Sequence, residues 1–414
     1  MNIFEQTESE VRAYCRSFPT IFDKARGSYL FDKDGKKYLD FFSGAGALNY
    51  GHNEPFFTDA MVDYIRSGGV LHALDMSTRA KEEFLTAFKK DILDKRGLPY
   101  KVMFCAPTGT NAVEASLKLA RKVTGRSGIF AFSGSFHGMT AGSLSVTSGN
   151  AIRSDLRGNY GDVTFLSYPF GFGLTFDTIE YLKNLLEDDH SGVARPAAII
   201  FETVQAEGGV IVAPTEWLHA LRKVCDDYGI LLICDDIQVG CWRTGDYFSF
   251  ERAGIVPDMV LLSKSISGVG SPMSLLLLKP ELDVWSPGEH NGTFRGNQLA
   301  FVTAKKAIEY AEKTDMKAMV TQKEKLIEAF LRTITTKRPA LSYRGLGMIY
   351  GLDFSKEREG VCKKVSAECF KNGLIIECAG RNKTVLKLMP PLTASEEELQ
   401  EGFAIIEKAV ETVL

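Results

Sequence analysis

The chain has 414 residues, 45% hydrophobic and 24% charged, with a formal net charge of −3. That balance suits a globular protein of two or three domains and gives no broad positive field to attract a nucleic acid. The start, M-N-I-F-E-Q-T-E-S-E-V-R, lacks the cationic and apolar parts of a secretory signal, and runs such as Ala197 to Phe201 or Ser274 to Leu278 fall far below the ~20 residues that span a bilayer. A cytoplasmic chain with no membrane partner is therefore expected. Its eight cysteines form no C-x-x-C pair and several sit in apolar segments, which suits buried reduced thiols better than zinc ligands or disulfides, so no metal site is expected.

In chain order, S-Y-L-F-D-K-D-G-K-K-Y-L-D-F (28 to 41) predicts a hairpin turning on Asp34-Gly35. From Val102 to about Ser263, short apolar runs alternate with amphipathic segments. The runs are V-M-F-C-A (102 to 106), I-F-A-F (129 to 132), A-A-I-I-F (197 to 201), I-L-L-I-C (230 to 234) and M-V-L-L (259 to 262). Between two of them, Trp217, Leu218, Leu221 and Val224 share one helical face. This alternation predicts an α/β fold with a mostly parallel sheet covered by helices.

After Gly296, helical periodicity holds over 297–314 and 316–337, followed by strand-like pieces at 343–354, 374–378 and 385–389. A last helix opens on the capping-box pattern Ser395-x-x-Glu398. Three units are expected: an N-terminal segment (1–45) packing beside the small domain, a large domain (46–296) and a small C-terminal α/β domain (297–414).

Each of the five runs ends in something polar or glycine-rich. In parallel sheets, ligands sit beyond the carboxyl ends of the strands, so these residues should converge on one pocket. Gly109 and Thr110 open a helix, where free N–H groups suit a phosphate; an ordinary N-cap is the plainer reading. Asp235 leaves an apolar strand and needs a cation facing it, either Lys264 in a simple salt bridge or a pyridinium nitrogen. In the second case Lys264 is free to bind the aldehyde of the same ring, because lysine can lose its proton when desolvated. Phosphate, ring nitrogen and aldehyde together describe pyridoxal 5′-phosphate (PLP). Phe136 is either a stacking face for the ring or core, and Gln238 either a donor to the ring hydroxyl or a loop amide. His137 has three readings: orienting Phe136, orienting the substrate, or a structural role. Gly44-x-Gly46 lacks the third glycine and the setting of a dinucleotide fingerprint.

The segments P-T-G-T-N-A, S-F-H-G, E-T-V-Q-A-E-G-G, D-D-I-Q-V-G-C-W-R-T-G, S-K-S and G-T-F-R-G-N-Q-L-A, in this order, resemble the class III aminotransferases of PLP fold type I, the aspartate aminotransferase-like fold. The resemblance runs from F-S-G-A-G-A-L-N-Y-G-H-N-E-P to M-P-P-L-T, nearly the whole chain. It implies that Lys264 binds the cofactor aldehyde and moves the proton between substrate and cofactor, and that Asp235 holds the ring nitrogen. Gln238 would meet the ring hydroxyl, Gly109 and Thr110 the phosphate, Phe136 the ring face, and His137 and Glu202 further cofactor contacts. Thr293 would reach the phosphate of a neighbouring subunit, which makes a homodimer or larger homo-oligomer the expected assembly.

Within the family, L-N-Y-G-H-N and S-P-G-E-H-N-G-T-F-R-G-N look most like the members that make 2,4-diaminobutyrate in ectoine synthesis. The resemblance therefore implies amino transfer from L-glutamate to L-aspartate 4-semialdehyde; another ω-amino transamination, on 4-aminobutyrate, ornithine or a diamine, is the alternative. Two departures bear on substrate. Relatives acting on 4-aminobutyrate or ornithine often have an arginine where Met139 stands, and another where Lys387 stands, gated by a glutamate at the place of Glu207. Lysine brings charge without the bidentate fork. Arg295 is the candidate replacement for binding a substrate carboxylate, and Lys387 is either a carboxylate ligand or a solvated charge at a strand edge.

Overall fold

A computed structural model describes residues 2–153, 161–169 and 177–414. The five apolar runs form Lys101–Phe104, Ile129–Phe132, Ala198–Phe201, Leu231–Asp235 and Met259–Leu262. They belong to one seven-stranded sheet, completed by Val163–Leu166 at one edge and Leu275–Leu278 in the interior. Leu275–Leu278 runs antiparallel to both its neighbours, Met259–Leu262 and Lys101–Phe104. The other pairings are parallel.

The runs are apolar throughout because the sheet is covered on both faces. The pleat sends Phe130, Phe132, Phe201, Leu232 and Leu262 into one core and Ile129, Ala131, Ile200, Ile233 and Leu261 into another. Helix Thr215–Tyr228 closes the first face with Trp217, Leu218, Leu221 and Val224. Helix Gly109–Thr124 closes the second with Ala112, Val113 and Leu119.

Three pieces of the expected layout differ. The strand-like stretch 343–354 is a hairpin of Ser342–Leu346 and Ile349–Asp353, turning at Gly347 with φ +61°. The stretch 374–378 divides between sheets: Leu374–Ile375 lies parallel to Lys37–Asp40 of the N-terminal hairpin, and Glu377–Ala379 pairs with Val385–Leu388. Helix Gln298–Lys313, read as the opening of the small domain, buries Ala300, Phe301 and Ala304 in the core of the large sheet, with Phe301 4.8 Å from Phe104 ring to ring.

Arg243, downstream of strand Leu231–Asp235, ties that segment to the turn of the 342–353 hairpin, to the end of Val385–Leu388 and to Asn49. It is fully buried and donates to Met348 O at 2.9 Å, Pro390 O at 2.5 Å and Asn49 Oδ1 at 2.7 Å. Among the described residues no helix is long and apolar enough to cross a membrane.

Candidate active site

The carboxyl ends of the parallel strands surround a cavity of about 160 Å³ lined by Gly109, Thr110, Phe136, His137, Glu202, Glu207, Asp235, Gln238 and Lys264. Nine sequence-predicted residues thus meet in one place, and each arrives there for a local reason. Asp235 is the last residue of its strand, and Lys264 follows Met259–Leu262 by one residue. Glu202 directly follows Ala198–Phe201.

Lys264 has φ +51°, a left-handed conformation that a lysine holds only where its surroundings enforce it. Both neighbours do so: Ser263 Oγ donates to Met273 O at 2.8 Å, and Ser265 Oγ donates to Gly46 O at 2.7 Å. The side-chain amine makes no ion pair or hydrogen bond among the described residues. Burial lowers its pKa, against the pull of Glu207 and Asp235.

The simple Lys264–Asp235 salt bridge is not formed. Asp235, only 5% exposed, instead has Oδ2 at 2.6 Å from His137 Nδ1 and Oδ1 accepting from Ile237 N at 3.1 Å. His137 thus braces the carboxylate, and its buried Nε2 is left without a partner. Phe136 is 38% exposed at the cavity wall, so it is not core. Its N–H donates to Glu202 Oε1 at 3.1 Å. Burial, reinforced by the negative charge of Asp235, raises the Glu202 carboxyl well above its ordinary value.

At the helix start, the Thr108 N–H and hydroxyl donate to Asn111 Oδ1 at 3.1 and 2.8 Å and the Asn111 N–H donates to Thr108 O at 2.9 Å, which leaves the Gly109 and Thr110 amides at the cavity. The Thr110 hydroxyl is already donating to Ser143 Oγ at 2.6 Å. The glycine of S-F-H-G is needed here: a Cβ on Gly138, at φ +125°, would lie 2.5 Å from Thr110 Oγ1.

Lys387 is not a solvated edge charge. Its side chain is 0% exposed, with Nζ 2.5 Å from Glu207 Oε1 and 2.8 Å from Glu377 Oε1. Burial pushes both partners of the first pair toward neutrality, but their attraction outweighs it: Glu207 falls to about 2, and Lys387 rises. Gln238 joins them, donating to Ala45 O at 2.8 Å and Glu207 Oε1 at 3.3 Å. With both amide protons engaged, a bond to a ring hydroxyl requires Gln238 to release one of them.

Sequence reasoning missed Glu377 and Tyr14. Glu377 stands directly across the strand pair from Lys387, and a carboxylate between Ile376 and Cys378 in an apolar strand was the available signal. The Tyr14 hydroxyl is pushed up to about 12 by burial and by the nearby Glu377 and Glu207. Thr293 and Arg295 do not line this cavity. Arg295 instead lines a separate one of about 600 Å³ with Lys81, Trp285, His290 and Phe301.

PLP fits the residues present. An unpaired amine, a buried fixed carboxylate, two free helix-start amides and an exposed aromatic face meet in one cavity, matching aldehyde, ring nitrogen, phosphate and ring.

The fold and this site are those of an aminotransferase, and the chain belongs to the class-III aminotransferase family, whose model matches residues 12–410. It is 52% identical to the diaminobutyrate–2-oxoglutarate transaminase of Wolinella succinogenes over 416 aligned residues, covering 100% of this chain and 97% of that protein. The transaminase of the same name from Halalkalibacterium halodurans is 51% identical with the same coverage. The ornithine aminotransferase of Toxoplasma gondii superposes with a TM-score of 0.85 at 24% identity, over 99% of this chain and 93% of that one, which establishes the fold.

Proposed function

We propose that the protein is a PLP-dependent transaminase that moves the amino group of L-glutamate to L-aspartate 4-semialdehyde, giving L-2,4-diaminobutyrate and 2-oxoglutarate. The observation that carries the chemistry is the unpaired, desolvated amine of Lys264 in one cavity with the fixed carboxylate of Asp235. The substrate choice rests on full-length relatives at 52% and 51% identity.

Bound PLP supplies a ring that takes up the negative charge developing at the substrate carbon. The chain's residues do the rest. Lys264, its proton weakened by burial, accepts a proton from the amine-bearing carbon of the substrate and returns it. Asp235, braced by His137 and the Ile237 amide, keeps a negative charge against the ring nitrogen. The Gly109 and Thr110 amides hold the phosphate, Phe136 covers the ring, and Glu202 anchors Phe136 through its backbone N–H. Glu207 faces the cavity in front of Lys387, so a substrate carboxylate reaches the lysine only by displacing Glu207.

The active unit of this reading is a cytoplasmic homodimer, with Thr293 reaching the cofactor phosphate of the neighbouring subunit and Arg295 a substrate carboxylate there. The exposed apolar side chains Leu71, Leu74, Met76 and Phe294 support a face that another subunit covers. The test is product identity: with L-2,4-diaminobutyrate and 2-oxoglutarate, L-glutamate accumulates in step with loss of the diamine. No glutamate, in the presence of bound PLP, overturns the substrate. An unchanged KM for glutamate in Arg295→Ala removes that residue's role.

A further inference from the structure

Away from the cavity, two thiols touch. Cys362, in helix Val361–Lys371, donates its S–H to Cys378 Sγ at 3.0 Å, from strand Glu377–Ala379. Cys362 is buried and Cys378 half-buried, so Cys378 is the sulfur an oxidant in solution can reach. The hydrogen bond from Cys362 lowers the Cys378 pKa, burial notwithstanding, and Lys383 adds to the effect; the same bond and burial raise Cys362. The four cysteines of the large sheet and its surroundings, Cys105, Cys225, Cys234 and Cys241, are buried and shifted upward by burial, which leaves them inert. A half-buried thiol of lowered pKa in contact with a buried second thiol is the arrangement in which one sulfur is oxidised and the other resolves it.

We infer that Cys362 and Cys378 are an oxidation site that closes to an intrachain disulfide when the protein meets a hydroperoxide. The Cys378 thiolate attacks one oxygen of hydrogen peroxide, the O–O bond breaks, and the departing hydroxide takes up a proton as water, leaving a sulfenic acid. Cys362 sulfur then attacks that sulfur; the S–O bond breaks, and the hydroxide leaves with the Cys362 proton as a second water. Two thiols and one peroxide become one disulfide and two waters, the sulfurs oxidised and the peroxide oxygens reduced. From 3.0 Å the sulfurs need to close by only about 1 Å. The bond would tie helix Val361–Lys371 to the strand whose Glu377 is paired with Lys387.

The test uses the PLP-loaded protein with Cys15→Ser, which removes the one exposed thiol. After hydrogen peroxide, the protein is unfolded, its remaining thiols are alkylated and its intact mass is read. The expected result is joint loss of two alkylatable thiols, an alkylated mass lower by two alkyl adducts plus about 2 Da, a peptide joining Cys362 to Cys378, and reversal by dithiothreitol. Cys362→Ser in the same background removes the resolving thiol, so a dimedone-trapped sulfenic acid at Cys378 is expected. The inference is overturned if Cys362 and Cys378 both remain alkylatable at a peroxide dose that fully oxidises Cys15 in the natural sequence. That reading is taken on the chain with both thiols intact, so it does not depend on how the Cys362→Ser variant folds.

Discussion

Lys387→Met leaves two carboxylates, Glu207 and Glu377, buried without their cation. The carboxyl of Glu207 is held at about 2 against an ordinary 4.5, which corresponds to about 3 kcal/mol of folding stability at neutral pH. Breaking one side of a buried ion pair costs about 3–5 kcal/mol, so the two routes agree in size. The sign in pH follows from the direction of the shift. A depressed carboxyl stabilises the fold fully above its unfolded pKa and loses that contribution as pH falls from 4.5 toward about 2. In the variant the attraction of Lys387 is gone, and burial with the mutual repulsion of the two carboxylates outweighs the weaker pull of Lys264 and Lys383, so protonation relieves the strain. The deficit should therefore be largest near pH 8 and shrink toward pH 5. Urea unfolding at both values measures it. Removing all three charges together, with Glu207→Gln and Glu377→Gln added, should recover most of the loss. Equal stability of Lys387→Met and the natural protein at pH 8, or a deficit that does not change with pH, would refute this account of the cluster.

Three further outcomes are expected. Lys264→Ala should keep the fold and lose half-reaction turnover by at least about 10²–10⁴-fold, read by single-turnover absorbance; a loss below tenfold contradicts its role as the proton carrier. Asp235→Asn removes the counter-charge to the ring nitrogen and should slow the same step by about two to four orders of magnitude, while PLP still binds. Gly138→Ala brings a Cβ to 2.5 Å of Thr110 Oγ1 at a left-handed φ, so PLP should bind about tenfold or more weakly by equilibrium dialysis, with thermal stability lowered modestly.

The large sheet was legible because its strands are buried on both faces, so each reads as an unbroken apolar run ending in a polar or glycine-rich turn. That ending is also why Asp235, Glu202 and Lys264 could be named. Leu275–Leu278 is as apolar as the others, but nothing in a short leucine run says that it inserts antiparallel between two strands distant in sequence. Val163–Leu166 is half-covered at an edge and carries a weaker pattern. The partners of the site were less legible than its members. Asp235 and His137 are 98 residues apart and meet only because the parallel strands Ile129–Phe132 and Leu231–Asp235, with Ala198–Phe201 between them, end on the same side of the sheet. Lys387 could be read either as a carboxylate ligand or as a solvated edge charge because its neutralisation comes from Glu207, 180 residues away, and from Glu377 on a separate strand. Pairings of that kind depend on register, which a single sequence does not display.

The most direct test of the central claim is a half-reaction. The purified yellow PLP form is mixed separately with L-2,4-diaminobutyrate, L-glutamate, L-ornithine and 4-aminobutyrate, and loss of the cofactor absorbance is followed. The proposed function predicts fast conversion by diaminobutyrate and glutamate and slow conversion by the other two. Fast conversion by ornithine or 4-aminobutyrate, with diaminobutyrate inert, would contradict it.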